Sequence, residues 1–185
     1  GEWLGRETGH NNVGFRSALN LVNNFTIEAW INPDSVAGIR RMFGNWSPST
    51  NFGYSFGLRD GRLRFTTITI LDYDTQPILA TGRWQHVAVV FDSSNDATFY
   101  LDGQFFQRIE GSSPSRSSDG AVLIGASPTL EPFDGRIDEV AFYNRTLSAQ
   151  EIQSHFLAGA GVTGVPQDQP LIVRNANWKY RDNIA

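Results

Sequence analysis

Cysteine is absent from the 185 residues. That removes disulfides, thiolate metal sites and cysteine nucleophiles together. Lysine is nearly absent as well: of 15 Lys and Arg residues only Lys179 is a lysine, against 19 Asp and Glu. The formal net charge of -4 argues against an electrostatic grip on nucleic acid or anionic lipid, because both need a basic surface to attract phosphate. Apolar runs stay far below the roughly 20 residues that a membrane span requires. No basic start followed by an apolar stretch marks a signal peptide, and Gly1 reads as an excised boundary from which a leader is missing. His10, His86 and His155 are scattered, and nothing resembles a zinc motif.

What is present is apolar and aromatic. With 40% hydrophobic and 12% aromatic residues, the chain can bury one substantial core, so one main domain is expected. The centre of the pattern is Trp84 to Gly103. Trp84 to Asp92 is apolar nearly throughout, as a strand covered on both faces would be. Ser93 to Asp96 breaks it with residues that bond their own backbone in turns. Ala97 to Leu101 is a second strand, and Asp102-Gly103 suits a tight turn in which both residues take positive φ, returning the chain along Gln104 to Ile109.

Further strands are expected around this meander. Phe25 to Asn32 alternates Phe25, Ile27, Ala29 and Ile31 against Thr26, Glu28, Trp30 and Asn32, until Pro33 ends it. Arg40 to Trp46 follows, then Phe52 to Leu58 and Leu63 to Leu71 around a second Asp-Gly turn at Asp60-Gly61. Short edge pieces are read at Val13 to Phe15, Ala18 to Val22 and Pro77 to Ala80, a buried strand at Ala121 to Gly125, and the last long one at Phe133 to Tyr143. One helix is expected, Gln150 to Leu157, with Ser148 and Glu151 spaced for a capping box and Ile152 and Phe156 four apart for docking. The fold class is therefore all-β, a two-sheet antiparallel β-sandwich with one short C-terminal helix. Residues 1–158 form the sandwich domain, 159–170 a Gly/Pro linker, and 171–185 a tail that packs back as a strand or opens a following module.

The phrases F-T-I-E-A-W-I-N-P at 25 to 33, G-R-W-Q-H-V-A-V-V-F-D at 82 to 92, F-Y-L-D-G at 99 to 103, V-L-I-G-A at 122 to 126 and G-R-I-D-E-V-A-F-Y-N-R-T-L-S at 135 to 148 carry a resemblance. The chain resembles the laminin-G-like, concanavalin-A-like jelly rolls, in particular the bacterial modules found inside large secreted proteins. The resemblance implies two curved sheets, calcium at the rim, an extracellular or cell-surface location, and binding of glycans or proteins. The same fold also carries glucanases, so function has to be argued from a site.

A glucanase needs two carboxyls roughly 5 to 9.5 Å apart. Asp138 and Glu139 point to opposite faces of a strand, and Asp134 and Asp138 stand about 13 Å apart along one. His86 lies among apolar neighbours, with no serine or cysteine spaced to be a nucleophile, and is expected to be a buried imidazole holding a backbone carbonyl. For calcium, Asp72 and Asp74 put two carboxylates on one side of an extended segment, and Asp138 is the family-style alternative, closing a site against the N-terminal Asn11 and Asn12. The competing reading of each is a solvated acidic loop or a structural aspartate. Sugar recognition lays a pyranose on an aromatic ring beside planar polar side chains. Trp46 with Asn45, then Tyr73 and Phe133, are the expected binding residues, whereas Trp30 and Trp84 are expected in the core. The leading expectation is a non-catalytic carbohydrate-binding module. A structural or adhesive protein-protein module is the alternative, and a glycoside hydrolase the third reading.

Overall fold

The structure, a computed structural model, describes residues 11–129 and 131–161; most of the expected linker and all of the tail lie outside them. Eleven strands form two antiparallel sheets. The six-stranded sheet runs β1 (Asn11–Gly14), β10 (Val122–Ile124), β3 (Ile39–Ser47), β4 (Phe52–Arg59), β5 (Arg62–Thr67), β6 (Leu71–Pro77). The five-stranded sheet runs β11 (Gly135–Tyr143), β2 (Phe25–Pro33), β7 (Gln85–Phe91), β8 (Ala97–Leu101), β9 (Gln104–Ile109). The jelly-roll sandwich read from the sequence is the observed architecture.

Alternation along β2, β4, β5 and β7 sends one set of side chains inward, and these interlock as an aromatic core. Phe65 and Phe91 meet from opposite sheets at 5.0 Å between ring centroids, Phe25 and Tyr54 at 5.1 Å, and Phe65 and Tyr73 at 5.7 Å. Both Asp-Gly turns take the backbone their residues favour, with φ of 48° and 76° at Asp60-Gly61 and 48° and 75° at Asp102-Gly103.

Three edges differ from the sequence reading. Ala18 to Val22 is not a strand: Ser17–Leu19 is a short 3-10 helix, and Leu19 turns its side chain into the core. Leu63 to Leu71 is two strands, because Thr69 takes a left-handed φ of 62° and Ile70 N–H closes a tight turn on the Thr67 carbonyl at 2.9 Å. The chain then returns as β6, so the expected edge piece at Pro77 to Ala80 is only the end of that strand, tied by Ile78 and Leu79 N–H to the Gly61 carbonyl.

The helix α1 (Ala149–Gly159) lies over the outer face of the five-stranded sheet and makes β7 buried on both sides. Its capping box is formed: Glu151 N–H donates to Ser148 Oγ at 3.2 Å, and Ser148 N–H donates to Glu151 Oε2 at 2.7 Å. Ile152 is fully buried on the sheet, and Phe156 stacks on Trp30 at 5.5 Å between centroids.

Candidate functional site

The outer face of the six-stranded sheet is polar across its whole width. Register carries one row from Asn12 through Leu123, Gly44, Ser55 and Thr66 to Asp72, and a second from Arg41 through Gly57 and Arg64 to Asp74. The central positions are small or hydroxylated, so Arg41 can lie across them. Its Nη1 donates to Ser55 Oγ at 2.7 Å and to Thr66 Oγ1 at 3.0 Å, and its Nε to Glu131 Oε2 at 2.8 Å. Thr66 Oγ1 in turn donates to Asp72 Oδ1 at 2.7 Å. Arg64 closes the network, with Nε 2.6 Å from Asp74 Oδ1, Nη2 on Asp74 Oδ2, and Nη1 3.0 Å from Asp72 Oδ2.

This is a fixed array of two guanidinium planes and three carboxylates. The arginines are the buried partners, while the side chains of Asp72, Asp74 and Glu131 keep 45%, 27% and 30% of their surface exposed. Burial pushes the Asp74 carboxyl up, but the hydrogen bonds and charge of Arg64, with Arg59 and Arg62 behind it, outweigh that and hold it below the usual carboxylate range. The Asp74 hydrogen bonds likewise keep Arg64 charged against its own burial. Acceptors and donors therefore stay in one charge state across neutral pH, pre-positioned for hydroxyl groups.

The sequence-derived residues fall on both sides of the sheet. Trp46 is half-buried at the end of β3 on the same outward parity as Gly44, and its Nε1 is buried with no hydrogen-bond partner among the described residues. Asn45 faces inward, where its amide donates to the Leu19 carbonyl at 2.7 Å. Tyr73 and Phe133 are 0% exposed, so they offer no ring to a ligand; the Tyr73 hydroxyl donates to the Asn95 carbonyl at 3.0 Å. Trp84 departs from its expected place in the core: it precedes the first residue of β7 and is 39% exposed.

Asp72 and Asp74 do stand on one side of β6, as alternation requires, but the cation between them is Arg64. A calcium ion there would have to displace a guanidinium, so the pair does not fit one. Asp138 lies on β11 and accepts the N–H of Glu139 at 2.9 Å, in a bulge where Glu139 has a φ of 51°. Asn11 and Asn12 belong to the other sheet. Among the described residues no group of three or more His, Asp or Glu side chains is arranged to hold a metal ion.

One constellation escaped the sequence reading. Glu28, His86 and His155 meet beneath α1, joined by Tyr143, although they come from β2, β7, α1 and β11. Burial pushes Glu28 up, but hydrogen bonds and charge from His155 and His86 bring it down to about 2. The available signal was the outward parity of Glu28 on β2, opposite His86 in register terms once Trp30 is paired with it.

Comparison with known proteins agrees with this architecture. The chain is similar to the Ruminococcus gnavus IT-sialidase CBM40 bound to alpha2,3 sialyllactose (16% identity, TM-score 0.63, covering 76% of this chain and 86% of that one). It is also similar to the heptameric SAP-like pentraxin of Limulus polyphemus (16%, TM-score 0.58, covering 85% and 84%) and to the binding domain of Paraclostridial Mosquitocidal Protein 1 (18%, TM-score 0.60, covering 81% and 41%). It thus spans about two fifths of that toxin domain's chain. At such identities the likeness is one of fold. No curated relative matches the sequence. The family model described as the concanavalin A-like lectin/glucanases superfamily matches residues 7–153, most of the chain, and the protein belongs to that superfamily.

Proposed function

We propose that this chain is a non-catalytic carbohydrate-binding module of an extracellular protein, and that it binds its glycan on the outer face of the six-stranded sheet. The observation that carries the reading is the Glu131–Arg41–Thr66–Asp72–Arg64–Asp74 network, which fixes planar charged groups in the pattern that sugar hydroxyls pair with, beside the half-buried indole of Trp46. Such groups bind without reorganising, so little entropy is lost on association. The sialyllactose-bound neighbour supports a glycan as ligand. Hydrolysis would need one carboxyl kept protonated as general acid. Asp74 is held in the opposite direction, which supports binding over cleavage.

The test is a glycan array probed with the wild type, Trp46→Ala and Arg41→Ala, each checked for an unchanged melting curve. Loss of the bound glycans in both folded variants is expected. Unaltered binding in both would reject this face. A protein-protein role is favoured by one observation, the 61% exposed Phe105 on the edge strand β9. A wild-type array without any bound glycan would bring that reading forward.

A further inference from the structure

Glu28, His86 and His155 are each 2% exposed, which places two imidazoles and one carboxylate where water hardly reaches. His155 Nδ1 lies 2.9 Å from Glu28 Oε1, and the Tyr143 hydroxyl donates to the same oxygen at 3.0 Å. His86 Nε2 stands 3.6 Å from Oε2, and its Nδ1 is buried without a partner among the described residues. The sheet supplies all of this cluster except His155, which α1 brings down onto it.

Charge counting gives the cluster one favoured state. With no proton on either ring the buried net charge is -1, with one it is zero, and with two it is +1. A buried, uncompensated charge costs several kcal/mol. The second proton meets a specific obstacle as well. A neutral His86 can turn its one N–H toward Glu28 and leave Nδ1 as a bare lone pair, whereas an imidazolium buries a second N–H with no acceptor. Away from the sheet both histidines are solvated and take protons independently near pH 6.5.

We propose that α1 is an acid-released latch, held on the sheet while the Glu28–His86–His155 cluster carries one proton and freed when a second is taken up. The remaining contacts let the helix leave as a unit. Ile152 and the Phe156–Trp30 stack are apolar and independent of pH, and Gly159 rests directly against the Trp30 indole. The other titratable groups around the cluster have their own partners. Glu151 of α1 is paired with Arg145 at 2.7 Å, and Asp102 accepts the His86 backbone N–H at 2.9 Å while facing Arg83 at 3.2 Å. Tyr143 spends its hydroxyl on Glu28, and Asp138 stands across from Trp30 on the edge strand. Release would bare the outer face of β2 and β7, the opposite side of the sandwich from the glycan face, and does not depend on that assignment.

Hydrogen exchange read by mass spectrometry on the full chain tests this, comparing peptides from α1 with peptides from β7 at pH 7.5, 6 and 5 after correction for intrinsic rates. One linked proton changes the docked-to-free ratio by up to tenfold per pH unit, so α1 protection should fall by about that factor per unit while β7 stays protected. In His86→Gln combined with His155→Asn, which keep a neutral nitrogen near each ring position, α1 should be protected equally at all three values. Constant α1 protection in the wild type, or an equal acid loss in the double variant, overturns the latch. Should the double variant lose β7 protection, NMR titration of the wild-type imidazoles decides instead. Uptake of the second proton at the pH where α1 opens supports the proposal, and both rings charged under a protected helix overturns it.

Discussion

Removing the Glu28 carboxylate should be among the most damaging single changes in this domain. In Glu28→Ala the ring of His155 at 2.9 Å and the hydroxyl of Tyr143 at 3.0 Å lose their acceptor in a site that is 2% exposed. Any proton on the histidines then becomes a buried charge without an opposite. Breaking a buried pair in this way costs about 3–5 kcal/mol. A domain of this size shifts by roughly 2–4 °C per kcal/mol, so the melting temperature at pH 7 should drop by about 10 °C. Glu28→Gln keeps an acceptor oxygen and exchanges charge-assisted hydrogen bonds for neutral ones, so its loss should be about 2 kcal/mol. The sign with pH is fixed too. The Glu28 carboxyl is lowered from 4.5 to about 2, so its contribution is complete above pH 4.5 and disappears as pH falls toward 2. Calorimetry at pH 7 and pH 3 should show the gap between wild type and Glu28→Ala narrowing in acid. A melting temperature within 2 °C of wild type at pH 7, or a gap that widens in acid, would refute the role given to this carboxylate.

Three other outcomes follow from the geometry. Gly53→Ala should cost at least about 2 kcal/mol, because its φ is 125° and a Cβ would lie 2.0 Å from the Asn45 carbonyl oxygen; an unchanged denaturant midpoint would show the β3–β4 register to be wrong. Millimolar calcium should give the same melting curve as a chelator at the Asp72–Asp74 pair, where Arg64 already supplies the opposite charge. A rise of several degrees that Asp72→Asn abolishes would mean the ion displaces the guanidinium. Arg64→Met should destabilise the fold and leave two carboxylates facing each other across β6, so that added salt recovers part of the loss; equal stability with and without salt would count against the clamp.

The sandwich was legible because its strands carry the period of two and its hairpins carry Asp-Gly, signals that depend on neighbouring residues alone. The β5–β6 turn was hidden because Ile68 and Ile70 extend the apolar pattern past Thr67, and the break rests on the positive φ of Thr69, a residue type that gives no warning of it. Parity determined which site residues survived. Trp46 lies outward, whereas Asn45, Tyr73 and Phe133 face the interior, and which parity faces the core depends on the partner strand. The Glu28–His86–His155 cluster joins positions 58 and 69 residues apart in the chain, which no local pattern connects. A bulge at Glu139 even shifts the parity of β11, so that Val140 and Phe142 enter the core and Tyr143 emerges beside Glu28.

The glycan face is tested most directly by mapping where an oligosaccharide identified on the array perturbs backbone and indole NMR signals. The account predicts shifts confined to Trp46, Gly44, Ser55, Thr66 and Asp72 on β3 to β6, with α1 and β9 unmoved. Shifts centred on α1, on Phe105 or on the opposite sheet would contradict it.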